Sequence, residues 1–271
     1  MTVHTGAIHD RPHAASLGAL PRKPLYLVAS SPMQVDTCHE ALTVKRAGAP
    51  VQRFPLARLA RVICNRHTTW TGEALCACLA HTVPITWLDG HGRALGNSQP
   101  RIHTPEPLDA TLDLYLELPD WHKRFDNWLT RRRLETLTQW AMHAATRGAE
   151  LDPVRFQVLK REFVYGGHVP VCFEPAAEGW CEALAAGHLN RGGLQSRYWG
   201  CGGVAMDLAA ELAGLLWAEL NLDCGALPAS ADSMAVSLRL FEAWAHRREG
   251  RLDTHLSDLR RHVAREIDAW R

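Results

Sequence analysis

Hydrophobic and polar positions along the chain follow two rhythms. Up to about residue 96, apolar residues come in short β-rich runs broken by turn residues. Leu25-Tyr26-Leu27-Val28 is one such run, ended by Ser30-Ser31-Pro32. Gln34–Asp36 and Ala41–Arg46 predict two more strands. In the second, Leu42 and Val44 alternate with Thr43 and Lys45, the pattern of a strand with one buried face. After the Ala47-Gly48-Ala49-Pro50 turn, extended structure resumes over Val51–Pro55, and Val62 and Ile63 follow as core residues. A short helix is predicted from about Thr71 to His81, with Ala74, Leu75, Cys78 and Leu79 on one face. Val83–Leu88 reads as a strand closed by Asp89-Gly90-His91-Gly92.

From Asp109 onward the apolar spacing becomes three and four. Trp121, Phe125, Trp128 and Leu129 open one stripe, which Leu134, Leu137 and Trp140 extend toward a stop at Gly148. Asp152-Pro153 predicts a cap and a first-turn proline, with Gly166-Gly167 ending that helix. Glu178–Ala186 predicts a helix ended by Gly187. The five glycines of residues 191–203 mark a loop. Val204–Leu220, Pro228–Arg248 and Leu252–Trp270 complete the helical set, the last carrying its stripe on Leu252, Leu256, Leu259, Val263 and Ile267. Strands first and helices afterwards imply an α+β fold: a small N-terminal β-rich domain followed by a larger all-helical C-terminal domain. The expected division is a flexible leader at 1–23, a β-rich domain at 24–96, a linker at 97–108 and a helical domain at 109–271.

Composition narrows this picture. Of 271 residues, 46% are hydrophobic and 22% charged, which fits a globular chain. Lys and Arg (30) nearly cancel Asp and Glu (29), which excludes a globally basic nucleic-acid binder and leaves local basic patches open. Eight scattered cysteines without a C-x-x-C pair, and no apolar run long enough for an export signal or a membrane span, predict reduced thiols in a cytoplasmic protein. Basic residues cluster at Arg131-Arg132-Arg133, at Arg155, Lys160 and Arg161, and at Arg197 beside Tyr198 and Trp199. Such sets either contact phosphates without reading sequence or form solvated helix faces.

The ordered series Leu42-Thr43-Val44, Phe54-Pro55-Leu56, Val62-Ile63-Cys64, Val83-Pro84-Ile85-Thr86-Trp87-Leu88 and Gly92–Gly96 resembles the N-terminal domain of the CRISPR-associated adaptation integrase, the family that inserts new spacers. The likeness covers residues 25–96 and implies a front portion of two small packed sheets serving dimerisation. In the second half, Val204–Glu211 is similar to that family's metal-binding helix, and Gly193-Leu194 to its glycine turn. The resemblance implies Mg²⁺ or Mn²⁺ held by a Glu, a His and an Asp, with the ion activating a 3′-hydroxyl or water against a phosphodiester. On this sequence the Asp is Asp207, Glu150 stands for the Glu, and His188 and Glu211 are further ligand candidates. Gln195-Ser196 stands where the family carries its His. Other readings of these residues stay open: Asp207 and Glu211 as helix-start acids, His188 at a helix end, and Glu150 as solvated. The implied partners are double-stranded DNA, a second copy of the chain and a small ferredoxin-like companion subunit. The alternative is a catalytically degenerate relative acting as a DNA-binding or structural subunit. A helical protein-interaction module is a third reading, which the near-zero net charge keeps open.

Overall fold

The computed structural model describes residues 22–100, 108–146, 152–200, 206–224, 234–248 and 250–271. Strands occupy the stretch from Lys23 to Ser98, and the described elements from Leu108 onward are helical. Residues 1–21 of the expected 1–23 leader, the middle of the linker, the Gly148 stop and Glu150 lie outside the described residues, and Lys23 already belongs to the first strand.

The strand region holds two four-stranded sheets. One has the order β1 (Lys23–Leu27), β5 (Leu59–Asn65), β7 (Ile85–Leu88), β8 (Ala94–Ser98); β1, β5 and β7 run parallel and β8 antiparallel. The other has the order β4 (Gln52–Pro55), β3 (Ala41–Arg46), β2 (Met33–Cys38), β6 (Thr68–Trp70). Period-2 alternation decides which face each residue serves. Leu25 and Leu27 of β1, and Val62 and Cys64 of β5, pack with Val35, Leu42 and Val44 in a core shared with Ala74 and Cys78 of α1 (Gly72–Ala80). The residues between them, Tyr26 and Ile63, join the core of the helical region instead. The first sheet is therefore apolar on both faces, as a sheet covered on both sides requires. Thr71 lies just outside α1 and caps it by accepting from the Ala74 amide at 3.2 Å. Strand β6 carries too little hydrophobic pattern to be found from sequence.

The helices are α2 (Leu108–Leu116), α3 (Trp121–Thr146), α4 (Pro153–Leu159), α5 (Ala177–Arg191), α6 (Leu208–Asp223), α7 (Met234–Arg247) and α8 (Gly250–Trp270). Asp152 caps α4 through the Val154 amide at 3.0 Å, with Pro153 in the first turn, and the chain continues as a π-helical segment, Lys160–Tyr165. The expected end of α5 at Gly187 is corrected: the helix runs on to Arg191, because Gly187 is enclosed in the core and keeps helical geometry. Helix α6 is buried on most sides, with Leu212, Leu215, Leu216 and Leu220 in the core.

Helix α5 seats the helices on the first sheet. A Cβ on Gly179 would strike the Gly92 carbonyl oxygen and approach Leu88 to 2.7 Å, so only glycine allows this closeness. Trp180 meets Tyr26 of β1 edge to face at 5.6 Å and Phe241 of α7 at 5.3 Å. At the same junction, Glu242 of α7 accepts from both the Tyr26 hydroxyl and the Arg61 guanidinium. Among the described residues, no helix is long and apolar enough to cross a membrane.

Candidate nucleic-acid and metal site

Helices α5 and α6 pack side by side, and the turn between them carries the residues singled out above. Leu194–Trp199 is pinned onto α2. The Gln195 amide donates to Asp109 Oδ1 at 3.1 Å, and the Tyr198 hydroxyl donates to Asp113 Oδ1 at 2.6 Å. Arg197 pairs with Asp113 at 2.7 Å, and its guanidinium lies 4.7 Å from the Tyr198 ring centre. Trp199 closes the turn by donating to the Leu194 carbonyl at 2.9 Å.

Asp207 is the N-cap of α6, and its Oδ1 accepts from the Ala210 amide at 3.1 Å. The helix starts one residue after it, so the cap reading of Asp207 is realised in the local geometry. One turn on, Glu211 lies 3.8 Å from Arg133 of α3. Burial raises the Glu211 pKa, Arg133 pulls it back down, and Asp126 and Asp207 raise it again. Glu182 of α5 lies in the same field. Burial, and then the charges of Asp207 and Glu178, push its pKa up to about 7. Glu182 and Asp126 were not singled out from sequence; both sit on helices whose apolar stripes dominate the pattern, and only the packing brings their charges to Asp207 and Glu211.

His188 faces elsewhere. Its Nε2 lies 3.1 Å from Asp253 of α8, and burial lowers its pKa against the pull of that carboxylate. Glu150 lies outside the described residues. Among the described residues, no three His, Cys, Asp or Glu side chains gather as a metal-ligand set. Of the Glu, His and Asp set implied by the resemblance, the described residues therefore hold only Asp207, as a helix cap, and His188, facing Asp253. The set's imidazole position is a glutamine whose backbone is bound to α2, and the histidine on offer is engaged with α8.

The basic residues divide sharply. Arg131 binds Asp258 of α8 at 2.7 Å, and Asp258 also accepts from Trp128 at 3.0 Å. Arg132 is 4% exposed, pairs with Glu135 and donates to His255 Nδ1 at 3.1 Å. Arg133 faces Glu211 and the Gly167 backbone. All three have carboxylate partners, and the Arg131 side chain stays 39% exposed. Arg155 is exposed on α4, Lys160 is half-buried at the start of the π-helical segment, and Arg161, with its side chain 76% exposed, has Glu162 at 3.8 Å. The exposed cations of the sequence-derived set are thus Arg155 on α4, Arg161 in the segment after it and Arg197 on the turn before α6.

Residues 26–109 match the family model described as CRISPR associated protein Cas1. No curated protein sequence matches the chain. Among solved structures, a Cas1 protein from Thermotoga maritima is similar at 11% identity and a TM-score of 0.63, covering 89% of this chain and 97% of that one. TtCas1 in complex with DNA is similar at 15% identity and a TM-score of 0.54, covering 89% and 91%. TtCas1 without DNA gives 14% identity and a TM-score of 0.55, covering 88% and 97%. The chain has the Cas1 fold, with its β-sheet region in front and its helical region behind.

Proposed function

We infer that the chain is a member of the Cas1 integrase family. We propose that it serves CRISPR adaptation as a DNA-binding or structural subunit whose three-ligand metal centre is not assembled. The family-model match over the strand region, with the Cas1 fold over nearly the whole length, supports the first part. The observation that carries the second is at the turn before α6, where Gln195 takes the place of the imidazole and Asp207 caps a helix. Double-stranded DNA is the proposed ligand, held through phosphate contacts from Arg155, Lys160 and Arg161. A second copy of the chain and a small ferredoxin-like companion are the proposed protein partners.

A second reading keeps the chemistry: a metal-dependent endonuclease and strand transferase that joins a DNA 3′-hydroxyl to a repeat phosphodiester. The charge of Asp207, which helps raise the pKa of both Glu182 and Glu211, favours it, because like charges that repel one another favour a neutralising cation. Branched and 3′-overhang DNA incubated with the protein in Mg²⁺ or Mn²⁺ separates the two. Salt-sensitive DNA binding without joined or nicked product supports the subunit. Product that disappears in Asp207→Ala overturns it in favour of the enzyme. Absence of DNA binding at low salt overturns both.

A further inference from the structure

Helix α6 ends against the chain that leads into α5, and two cysteines meet there. Cys224 is the C-cap of α6, and Cys172 lies in the segment between the π-helical stretch and α5. Buried Asn221, in the last turn of α6, fastens that segment in place. Its Oδ1 accepts from the Cys172 amide at 2.8 Å and from the Phe173 amide at 3.1 Å, while its Nδ2 donates to the Trp217 carbonyl at 2.8 Å. Both cysteines are free thiols, Cys172 exposed and Cys224 half-buried.

The thiols cross between the two segments. Cys172 Sγ donates to the Asn221 carbonyl at 3.1 Å, and Cys224 Sγ donates to the Cys172 carbonyl at 3.1 Å. The two side chains are also in hydrogen-bond contact with each other. Such a contact aims both Cβ–S bonds at a common point, which is the approach a disulfide requires. Partial desolvation, and then the contact with Cys224, push the Cys172 pKa up to about 12, against the opposing charge of Arg155. At neutral pH Cys172 therefore rests as a thiol, and the pair stays open until an oxidant draws on it. Cys64 and Cys78 also act on each other, but both are fully buried, where an oxidant in solution does not reach.

We propose that Cys172 and Cys224 are a redox-sensitive pair, closed to a disulfide by a peroxide and reopened by a dithiol. Hydrogen peroxide converts one thiol to a sulfenic acid and releases one water. The other sulfur attacks the sulfenic sulfur, the S–S bond forms, and the sulfenic oxygen leaves as a second water with the proton of the attacking thiol. The pair loses two hydrogens and two electrons, and the peroxide is reduced to two waters. A dithiol reverses the change and is itself oxidised to its disulfide. The new bond joins residues 52 positions apart, so it locks the segment leading into α5 onto the end of α6. The proposal is independent of the DNA contacts assigned to α4.

The test is treatment of the folded full chain with hydrogen peroxide, alkylation in denaturant and peptide mapping by mass spectrometry. Fragmentation must separate Cys172 from Cys181 and Cys224 from Cys201, which share tryptic peptides with them. A peptide pair joined through Cys172 and Cys224 is expected, and dithiothreitol should part it. Closing a loop of this length should raise the melting temperature by about 5 °C over the reduced chain and slow amide exchange at Cys172 and Phe173. Cys172→Ser and Cys224→Ser should each abolish the cross-link and the rise, while melting within about 2 °C of the native chain under reducing conditions. Mapping of the native chain decides the pairing without either variant. No cross-link, sulfinic acid in place of the disulfide, pairing of either cysteine with a third, or a cross-link that leaves the melting temperature unchanged overturns the proposal.

Discussion

Replacing Glu242 with alanine probes the joint between strands and helices. The residue comes from α7 and accepts from Tyr26 of β1 and Arg61 of β5, so one carboxylate ties three elements. An exposed ion pair contributes about 0–1 kcal/mol. Removing one partner of a buried pair costs about 3–5 kcal/mol, because the other charge is left unpaired. Here the side chains of Arg61 and Glu242 are 14% and 28% exposed, so the buried case governs at its lower end, about 3 kcal/mol. At about 2 °C per kcal/mol for a chain of this size, Glu242→Ala lowers the melting temperature by about 6 °C. Adding Arg61→Met to Glu242→Leu removes both charges and leaves only the Tyr26 hydroxyl without its acceptor, so stability recovers to about 1–2 kcal/mol below the native chain. Scanning calorimetry with urea titration measures both variants. A shift under about 1 °C for Glu242→Ala, or a double variant no more stable than the single one, would refute this account of the joint.

Other perturbations test separate parts of the structure. Gly179→Val drives a side chain into the Gly92 backbone and Leu88, and the overpacking cost of about 1–3 kcal/mol should appear as an earlier urea midpoint. Asp207→Ala removes the α6 cap and should cost about 1 kcal/mol by the same measurement, whether or not DNA chemistry is lost. Glu182 is raised to about 7 in the folded chain, above its unfolded value near 4.5, so the folded state holds its proton more tightly. Its ionisation therefore opposes folding fully above about pH 7, and the opposition fades as pH falls toward 4.5. Discounted for its partial exposure, the effect is about 1 kcal/mol, and Glu182→Gln should flatten the stability profile between those pH values. Reversing Arg155 and Arg161 to Glu should weaken duplex binding at low salt and reduce the slope of log affinity against log salt, read by fluorescence anisotropy.

Much of the fold is legible in the chain because it rests on local periodicity. The strand over Ala41–Arg46, the stripe from Trp121 to Leu129 and the Asp152-Pro153 cap each appear where the pattern puts them, but Thr43, expected on an open face, is buried between Leu42 and Val44. Strand β6 escaped because three residues, Thr68–Trp70, are too few to show a period. Gly187 was misleading because glycine ends many helices but is also tolerated inside a helix that its buried neighbours hold in place, and sequence does not separate the two.

The site is different in kind. Sequence identified Asp207, Glu211 and the arginine run as chemically capable groups, and it fixed the cap geometry that depends on residues three positions apart. Only tertiary structure decided what those groups face. Arg131 meets an aspartate 127 positions away, His188 meets Asp253 rather than Asp207, and Glu182 gathers charge around Asp207 from another helix. The physical reason is range. Backbone periodicity is set by near neighbours in the chain, whereas a charge answers to whatever lies within a few ångströms in space, which only the packed helices specify.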